Sequence, residues 1–435
     1  MNPSPMAPYL NFLRNCSTLR WQGRVMQLQG NLIESAGPFC SVGDSCEIVS
    51  SDGKSYAGEI VGFRGSTILS MPVEKPQGIR FGDRIITRGT RPSIRVGPDL
   101  VGRVIDATGT PIDGLDDYRA TKSMLVDGSA PLPLHRVPIR EPLGCGIRAI
   151  DSFITCGRGQ RIGIFGGSGV GKSTLLGMMA RGTSADLTVL ALVGERGREV
   201  GEFLEVLGEE GRQRSVIVAS TSDQSPLLRI RAALVATTVA EYFCSLGKHV
   251  LLVVDSVTRF AMAQREIGLS AGEPPTAKGY TPSVLNMLAR LFERTGRFNN
   301  GSITAFYTVL MEGDDQQDPV VDMVRSLLDG HVLLDRQLAT RNHYPPISIL
   351  DSLSRLMPSV TTPEHLEKAK ALRMLLAAYA RSEDLIRIGA YQKGADPVLD
   401  KAIEVLPKLN AFLQQRPDDI ATVDATLAQL LKIPS

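Results

Sequence analysis

The stretch "GGSGVGKSTLLGMMARG", residues 166–182, concentrates groups that can hold phosphate. Gly166, Gly171, Lys172 and Ser173 satisfy the spacing G-x-x-x-x-G-K-[ST]; Gly167, Ser168, Gly169 and Val170 fill the interval and Thr174 follows. Glycines let the main chain wrap an anion with its N–H groups, the lysine supplies charge, and the serine hydroxyl suits Mg²⁺. The pattern stands after the apolar run "RIGIF" and before a helical run, which is the context this chemistry requires.

Two other stretches could complete a nucleotide site. The run "HVLLVVD" ends in Asp255, a carboxylate suited to a metal-bound phosphate, although an Asp there could alternatively cap a helix. With the phosphate loop upstream, the metal role is the stronger reading. The run "LTVLALVG" leads into "ERGREVGEF", so Glu195, Arg196, Arg198, Glu199 and Glu202 crowd together. Ligands gather at the C-terminal ends of parallel strands, and hydrolysis needs a group to orient and deprotonate water. Glu195 is placed for that role, though the stretch taken alone fits a solvated charge cluster as well.

These residues need a scaffold, and 435 residues are enough for two or three domains. The segment from about 22 to 92 carries short runs such as "GRVMQLQG", "SCEIVSS" and "AGEIVGF" bounded by turn residues, which predicts a small β-barrel. From 93 to 360, Val/Ile/Leu runs alternate with helical segments, which predicts an α/β core with a mostly parallel sheet covered on both faces. Beyond 361 the strand runs stop. "TTPEHLEKAKALRMLLAAYARSEDLIRI" opens on a Thr-Pro start signal and sets Leu372, Leu375, Leu376 and Tyr379 on one helical face, so a helical domain is expected to the end of the chain. Residues 1–21 mix apolar and basic side chains, as a partner-docking helix or a frayed tail would.

Composition narrows the classes. Lys plus Arg number 48 against 46 Asp plus Glu, and aromatic residues make up 5%, so neither a nucleic-acid surface nor an anionic-membrane surface is indicated. Cys16, Cys40, Cys46, Cys145, Cys156 and Cys244 include no C-x-x-C pair and no metal spacing with histidine, which predicts reduced, mostly buried thiols. The first residues lack a signal-peptide pattern and no run is long enough to span a bilayer, so a cytoplasmic location with peripheral docking is expected.

In order and spacing, "GGSGVGKS", "VGERGREVGEF", "LLVVDSVTRFAMAQREIG" and "YPPISILDSLSR" resemble the catalytic subunit family of rotary ATP synthases and its export-ATPase relatives, over nearly the whole chain. "GGSGVGKS" and "EGDDQQDP" are more similar to the flagellar export branch than to the injectisome branch. Ser168 and Ser173 replace the Ala and Thr usual in rotary synthases, and the metal-binding hydroxyl is kept. The resemblance implies ATP and Mg²⁺, with Lys172 on the phosphates, Ser173 and Asp255 at the metal, and Glu199 as a second acidic group there. It implies Glu195 at the attacking water, Arg196 near the γ-phosphate, Tyr344 on adenine with Phe412 as a weaker second aromatic, and Arg355 as a finger reaching the neighbouring subunit. It also implies a homohexamer with a stator protein at the N-terminus, a stalk protein in the ring centre, export-gate membrane proteins and chaperone–substrate complexes, at the inner face of the cytoplasmic membrane.

Other readings are open to the residues. A rotary synthase subunit would share the core; a non-catalytic nucleotide-binding subunit would lack Glu195; an RNA-translocating hexamer would interleave aromatic and basic residues on its barrel, and the segment 22–92 does not read as such an interleaved surface.

Overall fold

The computed structural model describes Met6, residues 19–311 and residues 318–434. The expected docking segment therefore lies almost wholly outside the described residues, as do residues 312–317 of "EGDDQQDP".

Six short strands come first: β1 (Trp21–Gln29), β2 (Leu32–Ala36), β3 (Ser45–Val49), β4 (Ser55–Arg64), β5 (Thr67–Pro72) and β6 (Arg84–Thr87). They close into an antiparallel barrel in the order β1-β2-β5-β4-β3-β6. Val25, Ile33, Ile48, Ile60 and Ile85 fill the interior, and closure leaves no unpaired strand edge.

A ribbon of β7 (Ser93–Val96) and β9 (Lys122–Leu125) follows, with β8 (Val104–Asp106) between them in sequence. Next, β10 (Pro142–Leu143) and β11 (Cys156–Gly157) pair around α1 (Arg148–Phe153). The core strands are β12 (Arg161–Gly166), β13 (Leu187–Glu195), β14 (Ser215–Thr221), β15 (His249–Asp255), β16 (Gly296–Phe298), β17 (Gly301–Leu310), β18 (Gly330–Leu334) and β19 (Ile347–Ser354). With β8 they form a sheet in the order β19-β18-β12-β17-β15-β13-β14-β8, with β16 paired to β17. All neighbours along this path are parallel except β18 and β19.

The helices between these strands are α2 (Lys172–Gly182), α3 (Gly197–Gln213), α4 (Pro226–Ser245), α5 (Val257–Ala271), α6 (Pro282–Glu293), α7 (Pro319–Leu327) and α8 (Arg336–Thr340), and α9 (Met357–Val360) follows β19. Both faces of the sheet are covered, which is why its strands read as unbroken apolar runs. Val189, Ala191 and Val193 of β13 join the core under α4, α5 and α6, while Leu190 and Leu192 join the core that holds α2. β19 was not among the runs read as strand. It is an edge strand paired antiparallel, and Leu350, Asp351 and Leu353 are exposed, so it lacks the continuous apolar signature of its neighbours.

The chain ends in α10 (Pro363–Arg387), α11 (Pro397–Leu413) and α12 (Val423–Lys432). Thr362 caps α10 by accepting from the His365 N–H with Pro363 at the first helical position, as the Thr-Pro signal implies. Leu372 and Leu375 are buried, and Leu376 and Tyr379 pack against the same core. Of the described cysteines, Cys46, Cys145, Cys156 and Cys244 are buried and Cys40 is half-buried.

Gln415, just past α11, fastens this helical domain to the ATPase core. Its Nε2 donates to the Gly146 carbonyl at 2.8 Å and its Oε1 accepts from the Arg148 N–H at 2.9 Å. Its own N–H donates to the Tyr344 carbonyl at 2.9 Å. Replacing Gln415 with Leu strands the buried Gly146 carbonyl and the part-buried Arg148 N–H and Asp419 carbonyl, and is expected to lower stability by about 1–3 kcal/mol. Urea unfolding followed by circular dichroism measures it, and an unchanged midpoint would show the contact to be idle.

Candidate functional site

Gly166, Glu195 and Asp255 end β12, β13 and β15, three parallel strands, so all three come to one edge of the sheet. The loop leaving β12 turns on left-handed backbone at Gly169 (φ 78°) and Gly171 (φ 92°), where a side chain would be strained. Gly166 packs so close to β18 that a Cβ would lie 2.9 Å from that of Leu334. Val170 turns inward and is buried, anchoring the loop. No side chain caps α2, whose N-cap is Gly171, so the loop and the first turn present backbone N–H groups outward.

Lys172 Nζ reaches Asp255 Oδ1 at 2.6 Å, and Thr308 Oγ1 donates to the same oxygen at 2.6 Å. The helix-cap reading of Asp255 is settled by its neighbour: Ser256 is the N-cap of α5, accepting from the Arg259 N–H.

A bulge at Gly194 (φ 68°) shifts the register of β13 and turns Glu195 toward the cavity. Burial above all, then the hydrogen bond with Glu199 and the nearby Asp255 charge, push Glu195 up to about 7 against the pull of Lys172 and Arg259. The same hydrogen bond, with Arg196 and Arg259, holds Glu199 below the usual carboxylate range. A carboxylate with raised proton affinity is suited to accept a proton from water.

Around these groups is a cavity of about 470 Å³ lined by Gly167, Ser168, Gly169, Gly171, Lys172, Ser173, Thr174, Glu195, Arg196, Glu199 and Asp255, among others. Tyr344, Phe412 and Arg355 are not among the residues lining this cavity, and Arg196 stands at its edge. Tyr344 is 44% exposed and its ring lies by the loop: a Cβ on Gly171 would be 3.6 Å from its Cε1. Phe412, only 7% exposed, is packed into the core beneath α11, although Gln415 ties its segment to Tyr344. Arg196 is largely solvated, with a side chain 78% exposed and 3.9 Å from Glu199. Arg355 does not line the cavity; it follows Ser354, which pairs with Gly330 at the start of β18.

Two site residues were not singled out from sequence. Arg259 comes within 4.0 Å of Glu195 and lines the cavity, but an arginine in a helical run reads as a solvated face. Thr308, which orients Asp255, is hidden in the apolar run "SITAFYTVLM". Their signal was positional only: each stands within a turn of a strand end at the site edge.

A phosphate seated on the loop would meet Lys172 on one side and Glu195 across the cavity, an arrangement that defines a P-loop nucleotide hydrolase. Residues 146–354 match the ATP synthase alpha/beta family, nucleotide-binding domain, and residues 361–432 match the T3SS EscN ATPase C-terminal domain. A flagellum-specific ATP synthase of Bacillus subtilis (strain 168) is 50% identical over 414 residues, 94% of this chain and 94% of its own. The assembled ATPase EscN of the enteropathogenic E. coli type III secretion system superposes with a TM-score of 0.90 at 44% identity, covering 94% of this chain and 99% of that one. The same ATPase in complex with its central stalk EscO gives 0.87 at 43% identity, with 94% and 99% covered. The chain belongs to the ATP synthase alpha/beta family and is an ATPase of its flagellar and type III secretion branch.

Glu195→Gln is expected to keep nucleotide affinity and to lower turnover by about 10²–10⁴. Lys172→Ala should instead weaken binding of a fluorescent ATP analogue. Ordinary turnover in Glu195→Gln would remove Glu195 from the chemistry.

Proposed function

We propose that the chain works as an ATP-hydrolysing homohexamer of the flagellar type III protein export apparatus, each site completed by Arg355 of the neighbouring copy. Arg355 carries this reading. Its side chain is exposed and, among the described residues, makes no hydrogen bond or ion pair. It follows the last residue of β19, which pairs with Gly330 at the start of β18, whereas the phosphate loop leaves the opposite end of the sheet. From the level of Arg161 to Gly166 is five residues of strand, about 17 Å. An arginine so placed is out of reach of its own phosphates and free to reach another copy's.

In this reading Lys172 exchanges Asp255 for the β- and γ-phosphates, Glu195 takes a proton from the attacking water, and Arg196 approaches the γ-phosphate. Tyr344 covers the adenine, with Phe412 behind it. Ser173 and Asp255, backed by Glu199, offer the hard oxygen donors that suit Mg²⁺. Among the described residues no group of three or more His, Cys, Asp or Glu could hold a metal alone, so phosphate oxygens would complete the set. The cation would neutralise charge on the transferred phosphoryl group. Arg355 would do the same from the neighbouring copy, an effect worth about 10³–10⁵ in rate where such fingers act.

Hydrolysis would drive release of substrate from its chaperone. The N-terminal segment would bind a regulatory stator protein, the ring centre a stalk protein, as EscN is seen with EscO, and the whole would dock on export-gate membrane proteins. No helix among the described residues is long and apolar enough to cross a membrane, so that docking would be peripheral, at the inner face of the cytoplasmic membrane. No nucleic-acid partner is invoked. A second reading, an injectisome ATPase, is favoured by the EscN-type C-terminal domain, while the loop "GGSGVGKS" favours the flagellar use.

Arg355→Ala should abolish the rise of specific activity with protein concentration while each copy still binds ATP. Persistence of that rise would assign the trans role elsewhere. Deleting the gene should remove flagellar filaments and swimming; loss of effector secretion with motility intact would establish the injectisome reading.

A further inference from the structure

An exposed arginine with no side-chain partner has to be aimed by the backbone beneath it. Under Arg355 that backbone is held by a buried polar cluster. Gln160, the residue before β12, is 0% exposed. Its Oε1 accepts from the Gly157 N–H at 2.8 Å, which fixes the amide's orientation because a backbone N–H can only donate. Its Nε2 is thereby turned to donate to Ser354 Oγ at 3.0 Å and to the Asp329 carbonyl at 3.1 Å.

Both acceptors lead directly to Arg355. Ser354 precedes it, and the Ser354 hydroxyl in turn donates to the Thr155 carbonyl at 2.8 Å. The Asp329 carbonyl that takes the Gln160 amide also takes the Arg355 N–H, at 3.0 Å. One side chain therefore holds the residue before Arg355 and the oxygen that holds Arg355 itself. Two neighbouring features stiffen the same spot. Gly330 approaches so closely that a Cβ would lie 2.4 Å from the Leu353 carbonyl oxygen. Arg373 of α10 donates to the Ser352 carbonyl and to the Phe153 carbonyl, each at 3.0 Å.

A buried amide and hydroxyl are costly unless bonded, and an apolar pair would fill the same space without that requirement. What the polar pair adds is direction. We infer that Gln160 and Ser354 are positioning residues for the trans arginine: they fix the Arg355 backbone so that its guanidinium meets the neighbouring copy's phosphates. The inference rests on the reading of Arg355 as the finger. A misplacement of about 1 Å in such a group can cost 10²-fold in rate.

The test uses the full chain under assembling conditions. Gln160→Met keeps the volume but cannot hold Ser354; Ser354→Ala removes only a hydroxyl and covers the case in which Gln160→Met does not fold. Each should lower kcat by roughly tenfold or more while KM and ATP-analogue affinity stay near wild type. The deciding arm mixes each variant with excess Lys172→Ala subunits, which have a disabled site but an intact Arg355. If the damage is to the finger, the Lys172→Ala neighbours supply a good one, and turnover per Lys172-containing subunit rises several-fold. No rise, or a wild-type kcat in both variants alone, overturns the inference. Arg355→Ala mixed in the same way is the reference: if it is rescued and the positioning variants are not, only the positioning role falls. If Arg355→Ala is not rescued either, the trans-arginine reading falls with it.

Discussion

The ammonium of Lys172 cannot serve Asp255 and a phosphate from one position. At 2.6 Å, with both side chains mostly buried, the pair is a strong one, and Thr308 holds the carboxylate in place. In the proposed mechanism a nucleotide has to offer Lys172 something better than a buried carboxylate, and a multiply charged phosphate, with a cation that Asp255 would help to hold, would do so. Much of the architecture follows from this exchange. β12 and β15 are separated by β17, so Lys172 reaches across an intervening strand, and the sheet must be parallel and in register there to bring both ends level.

The opposite wall of the cavity is built by a different device. Glu195 is a strand end like Asp255, but the bulge at Gly194 shifts its register against β14, where it pairs with Thr221, and α3 returns Glu199 beside it. Two adjacent carboxyls stand opposite one ammonium, so in the proposed mechanism the proton acceptor is kept apart from the group that would hold the phosphates. Arg259, from the start of α5, borders both.

Spacing and strand periodicity made much of this legible in the sequence. The phosphate loop is a local pattern, and a local pattern survives without knowledge of the fold. Asp255 and Glu195 were readable because buried parallel strands announce their own ends. Arg259 and Thr308 were not, since each is ordinary for its element and matters only through a neighbour from another strand. Gln160 is less legible still: nothing marks a glutamine before a strand as the support of a residue almost two hundred positions later. Tyr344 and Phe412 were paired by resemblance, and the structure joins their segments through Gln415 but gives only Tyr344 an exposed ring. β19 escaped notice because an antiparallel edge strand with one open face lacks the signature of the central strands.

β19 also sets a distance. The turn before it carries Tyr344 to the chain's own phosphate loop, and the residue after it, Arg355, stands at the other end of the sheet. In the proposed hexamer the strand would be a ruler laid between two adjacent sites. Side chains alternate across a strand, so a single inserted or deleted residue would both change the span and turn Arg355 to the wrong face. Compensating changes must come in pairs and must be matched by β18. The length of β19 should therefore be far less free to drift than that of the surface loops, even though most of its own side chains touch no nucleotide at all.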